Sequence, residues 1–152
     1  SQPFTVAFMT QILDVQPGDK ILEIGTGSGY QAAILSKLGA EVYSVERIEK
    51  LHENAKSLLA ELGYKVLLKL DDGTLGWQEF APYDKIIVTA GAPDIPHHLV
   101  VQLKENGKLI IPVGDQQSQR LLMITASKDG FEKKFYDHFK FVPLIGEDGW
   151  KA

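Results

Sequence analysis

The segment from Lys20 to Tyr30, KILEIGTGSGY, constrains the fold of this chain more than any other. Its apolar run, Ile21 to Ile24, predicts a short buried strand whose one charge is Glu23. Three glycines at alternate positions follow, namely Gly25, Gly27 and Gly29. A helix-compatible run comes next. Strand, glycine turn and helix in this order are typical of a nucleotide-binding corner, because glycines let the backbone approach a ligand closely and a helix start presents free N–H groups.

Apolar strand patterns alternate with helical patterns along the chain, which predicts an α/β fold with a doubly wound, mostly parallel, seven-stranded Rossmann-like sheet. The predicted strands are Ile21–Ile24, Glu41–Glu46, Val66–Leu70, Lys85–Thr89, Leu109–Val113, Leu121–Ser127 and Phe131–Val142. The predicted helices are Pro3–Leu13, Tyr30–Leu38, Ile48–Leu62 and Pro96–Leu103. The last two strands flank a Lys-Asp-Gly turn and predict a C-terminal antiparallel hairpin. With 152 residues, 44% of them hydrophobic, we predict one domain over residues 1–152.

Composition excludes several classes of function. The net charge of −4 provides no basic footprint for a nucleic-acid backbone. No apolar run approaches the ~18 residues that a membrane span needs. The chain has no cysteine, which is compatible with the cytoplasm, and its 4 histidines show no metal-ligand spacing. We therefore expect a cytoplasmic monomer that binds no metal, no nucleic acid and no membrane.

Acidic residues fall at three successive predicted strand ends: Glu23, Glu46 and Asp72. In a doubly wound sheet, the ligand lies at the carboxyl ends of the strands, where the strand order reverses. Glu46 follows the glycine corner by about twenty residues, the separation at which a carboxylate reaches ribose hydroxyls. Asp72 is placed to accept a hydrogen bond from an adenine amine. Glu23, which we expect at the mouth of the ligand cleft, suits a cationic ligand group. Singly, each could be a strand end or turn former; together they predict an adenosine-type ligand.

Two cofactors compete for this site. The run from Gly27 to Ala32 satisfies the dinucleotide pattern G-x-G-x-x-A, and Glu46 would serve NAD equally well. Against NAD, Glu23 would bring a negative charge near a pyrophosphate, and no serine–tyrosine–lysine dehydrogenase set is present. S-adenosylmethionine has no phosphate and carries an amino group, so we favour it. An NAD(P)-dependent oxidoreductase remains the alternative.

Several longer segments resemble one family along the whole chain. They are Ser1–Pro3, Leu22–Ala33, Val45–Arg47, Asp72–Trp77, Pro82–Asp84, Thr89–Pro93 and Phe141–Leu144. The chain resembles the protein-L-isoaspartate (D-aspartate) O-methyltransferases, class I enzymes that depend on S-adenosylmethionine. The Asp-Gly-Thr-Leu-Gly-Trp and Phe-Val-Pro-Leu segments are more specific for this family than the glycine corner, which many methyltransferases share.

The resemblance implies methyl transfer from S-adenosyl-L-methionine to the free carboxylate of isoaspartyl or D-aspartyl residues in damaged proteins, with S-adenosyl-L-homocysteine as product. The ester would then cyclise to a succinimide and start repair. The implied catalytic residue is Ser1. The expected cofactor-binding residues are Glu23, Gly25, Thr26, Gly27, Gly29, Glu46, Arg47, Asp72 and Gly73. The expected substrate walls are Ala90, Ala92, Pro93, Val142 and Leu144.

The sequence departs from the family pattern at two places. Family members carry a further segment before the serine at position 1, and this sequence lacks it. A non-catalytic fragment that binds S-adenosylmethionine is therefore a second alternative. Some members also have a histidine where this chain has Val6, which we interpret as variation between subfamilies.

Overall fold

The computed structural model describes residues 3–139 and 141–152. Its strands are β1 (Lys20–Ile24), β2 (Glu41–Glu46), β3 (Val66–Leu70), β4 (Tyr83–Val88), β5 (Leu103–Gly114), β6 (Gln119–Ser127) and β7 (Gly130–Phe139). Its helices are α1 (Pro3–Leu13), α2 (Tyr30–Lys37), α3 (Glu49–Glu61) and α4 (His97–Val100), with two 3-10 turns at Gly73–Leu75 and Gln78–Phe80. No helix of the described part is long and apolar enough to cross a bilayer.

The strands form one sheet in the order β3-β2-β1-β4-β5-β6-β7. Strands β1 to β5 pair in parallel, whereas β6 pairs antiparallel with both β5 and β7. The predicted doubly wound, mostly parallel, seven-stranded sheet with a C-terminal antiparallel hairpin is confirmed. The chain runs outward from β1 to β3 and then returns to β4. The strand order therefore reverses between β1 and β4, and their carboxyl ends bound a crevice.

The central strands of the sheet are buried on both faces, which explains why they read as continuous apolar runs. Along β1, Ile21 joins one core cluster and Leu22 joins the other, and both are fully buried. Helices α1, α2 and α3 contribute to the Ile21 cluster, for example through Leu35. Helix α4 contributes Leu99 to the Leu22 cluster. This two-sided packing fixes the carboxyl end of β1, from which the glycine corner leaves the sheet.

The helix predicted over Pro96–Leu103 is wrong in length, since α4 makes a single turn and Leu103 already belongs to β5. Gln102, which is buried, holds this junction: its Nε2 donates to the Leu75 carbonyl at 3.0 Å, and its Oε1 accepts from the Trp77 N–H at 3.0 Å. The chain leaves α4 where Gln102 bonds to the segment from Leu75 to Trp77. That segment is distant in sequence, so the local pattern around α4 does not show the contact.

Candidate functional site

The glycine corner leaves β1 and leads directly into α2. Gly25 and Gly27 have φ angles of +94° and +55°, in the left-handed region that favours glycine. A Cβ at Gly25 would also lie only 3.0 Å from the Thr89 Oγ1 atom after β4. The Gly25 N–H donates to the Val45 carbonyl at 2.9 Å, which ties the start of the corner to β2. The backbone therefore passes between the ends of β1, β2 and β4 where larger residues would not fit.

Glu46 fastens the corner from the end of β2. Its Oε1 accepts from the Gly27 N–H at 2.9 Å, and its Oε2 accepts from the Ile48 N–H at 2.9 Å. Glu46 as a whole is only 6% exposed. A carboxylate has about four acceptor positions, so each oxygen keeps one for a further donor such as a ribose hydroxyl. The spacing from the glycines thus places Glu46 beside the glycine corner.

A cavity of about 570 Å³ opens at this corner, a volume within the usual range for small-molecule sites. The predicted residues that line it are Gly25, Thr26, Gly27, Glu46, Arg47, Gly73, Ala90, Val142 and Leu144. The predicted residues that do not line it are Glu23, Gly29, Asp72, Ala92 and Pro93. Ser1 lies outside the described residues. The structure therefore brings most, though not all, of the predicted residues to one cavity.

Sequence reasoning missed some of the cavity wall. Tyr30 and Gln31, in the first turn of α2, line the cavity, as do Val6 of α1 and Leu51 of α3. Tyr30 and Gln31 could have been predicted to line the cavity, because α2 starts directly after the glycines. Val6 and Leu51 belong to the apolar stripes of their helices, and nothing in those stripes separates a cavity wall from a packed core. No group of three or more metal-ligating side chains occurs among residues 3–139 and 141–152.

Glu23 lies beneath the corner, where it has no exposed surface, and not at the mouth of the cleft as predicted. The Ser44 hydroxyl donates to its Oε1 at 2.5 Å, and its Oε2 has no hydrogen-bond partner among the described residues. Complete burial raises the pKa of the Glu23 carboxyl to about 8, the bond from Ser44 opposes this rise, and the charge of Glu46 adds to it. The neutral form is therefore favoured at pH 7.

Asp72 is occupied by contacts within the protein. Its Oδ1 accepts from the Thr74 N–H at 2.9 Å and from the Thr74 hydroxyl at 2.7 Å, which caps the 3-10 turn at Gly73. Its Oδ2 accepts from the Glu147 N–H at 2.9 Å. A Cβ at Gly73 would lie 2.5 Å from Ile24 Cγ2, so only glycine fits between the turn and the end of β1. Asp72 therefore joins the cavity wall at Gly73 to the C-terminal segment.

The expected substrate walls come from two segments that pair with each other. The Gly91 N–H donates to the Val142 carbonyl at 2.7 Å, and the Leu144 N–H donates to the Gly91 carbonyl at 2.7 Å. This short parallel bridge holds the loop after β4 beside the C-terminal segment. Ala92 does not line the cavity; its backbone bonds to β5 and it is buried in the core cluster that contains Leu22. Pro93 is exposed beyond it. Val142 is 70% exposed, so its side chain is available to a ligand at the rim.

His98 and Asp148 close the C-terminal segment against α4. The His98 Nδ1 lies 2.6 Å from the Asp148 Oδ2, and this contact holds the pKa of His98 above its ordinary value. Because the folded pKa is raised, the ion pair contributes fully below the ordinary histidine pKa and is lost as pH rises through the folded pKa. We expect the hydrogen-exchange protection factor of the Glu147 amide to fall between pH 6 and 9.

The matched comparison uses two neighbouring histidines. His98→Asn removes the ion pair, so the protection factor of the Glu147 amide should no longer depend on pH. His97→Asn should keep the pH dependence, since His97 makes no hydrogen bond to Asp148. Equal protection at pH 6 and pH 9 in the unmodified chain would show that the ion pair does not hold this turn.

One family model matches residues 1–149, and it describes protein-L-isoaspartate(D-aspartate) O-methyltransferase (PCMT). A protein-L-isoaspartate O-methyltransferase of Dictyoglomus thermophilum is 55% identical over 152 residues, covering 99% of this chain and 69% of the relative. One of Chlorobium limicola is 53% identical over 152 residues, covering 99% of this chain and 70% of the relative.

Two solved structures are similar over nearly the whole chain. One is a protein-L-isoaspartate O-methyltransferase with a TM-score of 0.91 and 32% identity, covering 98% of this chain and 49% of that protein. This chain thus spans about half of that protein's length. The other is a putative enzyme of the same name from Plasmodium falciparum in complex with S-adenosyl-L-homocysteine. Its TM-score is 0.84 at 26% identity, covering 95% of this chain and 75% of that protein.

Proposed function

The chain belongs to the protein-L-isoaspartate(D-aspartate) O-methyltransferase family, and we propose that it transfers a methyl group from S-adenosylmethionine to the carboxylate of isoaspartyl residues. D-aspartyl residues are the second acceptor, and damaged proteins and peptides are the partners. The observation that carries the proposal is the cavity at the carboxyl ends of β1 and β4. The glycine corner forms one wall of this cavity, and Glu46 holds that corner by a hydrogen bond from the Gly27 N–H. The proposal includes a cytoplasmic location and a monomeric state, which rest on the sequence.

The polarity of the residues that line the cavity suits S-adenosylmethionine. Glu46 retains acceptor positions for ribose hydroxyls, while Ile24, Val45 and Gly73 offer an apolar, closely approachable wall for a flat base. Bound here, S-adenosylmethionine supplies a methyl group on a positively charged sulfonium. The alternative from the sequence, an NAD(P)-dependent oxidoreductase, finds no support among the related proteins.

The chain's own residues have only to bind, orient and exclude water. The acceptor carboxylate is already ionised at neutral pH, so no general base is needed. Ala90, Val142 and Leu144 would hold the substrate backbone beside the cofactor. Positioning of this kind can lower the activation barrier by up to ~7–11 kcal/mol. Ser1, which the family resemblance alone assigns, would orient the carboxylate by one hydrogen bond. The methyl ester then cyclises without further help from the protein.

Transfer of labelled methyl to an isoaspartyl peptide tests the acceptor, and calorimetry tests the cofactor. We expect S-adenosylhomocysteine to bind the chain with a micromolar or tighter Kd and NAD and NADP to bind far more weakly. This expectation rests on the family match and on the related structure that holds S-adenosyl-L-homocysteine. Tighter binding of NAD than of S-adenosylhomocysteine would refute the methyltransferase assignment.

A further inference from the structure

Three side chains connect the cavity wall to a fully buried acid. Thr26 lines the cavity, and its Oγ1 lies 2.6 Å from the Ser44 Oγ atom on β2. Ser44 in turn lies 2.5 Å from the Oε1 of Glu23, its register partner on β1. We call Thr26, Ser44 and Glu23 the buried relay. Its inner end, Glu23 Oε2, has no partner among the described residues, so the relay ends in an incompletely satisfied carboxyl group.

The hydroxyl directions in the relay depend on the protonation of Glu23. When Glu23 is ionised, Ser44 must donate to it, and Ser44 has only one hydroxyl proton. Thr26 must then donate to Ser44, so Thr26 presents only acceptor lone pairs to the cavity. When Glu23 instead carries a proton on Oε1, the direction of the Ser44–Glu23 bond reverses: Glu23 donates to Ser44, Ser44 donates to Thr26, and the Thr26 hydroxyl proton points into the cavity. The 2.6 Å contact between Thr26 and Ser44 accommodates either direction.

We propose that Ser44 is a positioning residue that couples Glu23 to Thr26, so that a cationic ligand group entering beside Thr26 ionises Glu23 and expels one proton. This inference rests on the proposed function, because the ammonium group of S-adenosylmethionine or its product is the cation concerned. The protons balance: the Thr26 hydroxyl proton leaves to water in the cavity, and each remaining proton shifts one position outward. Thr26 then accepts an N–H from the ligand.

The surroundings of Glu23 support this coupling. Glu23 has no exposed surface, and its β4 register partner is the apolar Ile87. The charge that acts on Glu23 comes from Glu46 on β2, which is negative and therefore disfavours ionisation of Glu23. Because burial raises the pKa of Glu23 to about 8, the free protein enters the binding reaction with this carboxyl mostly neutral near pH 6.5. A positive charge brought into the cavity is what reverses that preference.

The proton count is measured by titrating S-adenosylhomocysteine into the chain at pH 6.5, in two buffers that differ in ionisation enthalpy. The ligand's ammonium is charged at this pH, so it contributes little to the count. We expect about one proton to be released per ligand bound by the unmodified chain. Glu23→Gln should abolish the release because the titrating group is gone. Ser57→Ala, an exposed serine on α3, is the matched control and should keep it.

Two variants separate the relay from a simple electric field. Thr26→Val keeps the shape of the wall but cannot receive the ligand's N–H, and Ser44→Ala breaks the middle of the relay. We expect both to bind with little or no proton release. Thr26→Val leaves the Ser44–Glu23 bond in place, so it remains informative if Ser44→Ala fails to fold.

Each result decides the question. Binding without proton release by the unmodified chain, or full release by Thr26→Val, overturns the relay and leaves the proposed function standing. No detectable binding of S-adenosylhomocysteine by the unmodified chain overturns the proposed function and, with it, this inference.

Discussion

Glu46→Ala is expected to weaken the binding of S-adenosylhomocysteine by about 1.5–3 kcal/mol, roughly 10- to 150-fold in Kd. Hydrogen bonds to a charged group account for a loss of this size, and Glu46 has free acceptor positions facing the cavity. The substitution also leaves the N–H groups of Gly27 and Ile48 without their carboxylate, so the corner itself should loosen. Isothermal titration gives the Kd, and thermal unfolding shows whether the fold is retained.

Two controls define what the loss means. Glu46→Gln keeps the shape but replaces one acceptor oxygen by a donor, so its Kd should lie between those of the unmodified chain and Glu46→Ala. Glu49→Ala removes an exposed acid from the start of α3, three positions further along the chain, and should change the Kd little. An unchanged Kd for Glu46→Ala would mean that this carboxylate only fastens the corner and does not bind the cofactor.

The sequence predicted those parts of the site whose geometry follows from local connections. The strand–glycine–helix unit fixes Gly25 and Gly27, and the next strand brings Glu46 back beside them. The doubly wound, mostly parallel sheet could be predicted for the same reason, because most of its parallel strands are joined by short connections that each contain one helix. Such features depend on spacing, which is visible in the sequence.

The remaining features depend on contacts between distant segments. The carboxylate of Asp72 accepts from Glu147, which is 75 positions further along the chain, and that contact turns an expected adenine acceptor into a structural link. Glu23 was expected at the mouth of the cleft, yet the packing around β1 buries it completely and directs it to Ser44. No local pattern separates a strand-end acid that faces a cavity from one that lies beneath it.

The second large effect that we expect is a difference in the rate of methyl transfer to two peptides. The peptides have the same composition and order and differ only in whether one residue is isoaspartyl or normal aspartyl. Their carboxylates differ in position by one methylene, and a misplacement of ~1 Å can cost ~10²-fold in rate. The bridged segments around Gly91 and Val142 hold the proposed substrate walls in a fixed relation, so we expect the site not to adjust easily to the displaced group.

The most direct measurement is the transfer of tritiated methyl from S-adenosylmethionine to each peptide, scored as base-labile methyl ester. We expect kcat/KM for the isoaspartyl peptide to exceed that for the aspartyl peptide by about 10²-fold. Label on neither peptide, with S-adenosylhomocysteine still bound, would identify a binding fragment without catalytic activity. Equal labelling of both peptides would contradict the proposed function and point to a different carboxyl methyltransferase.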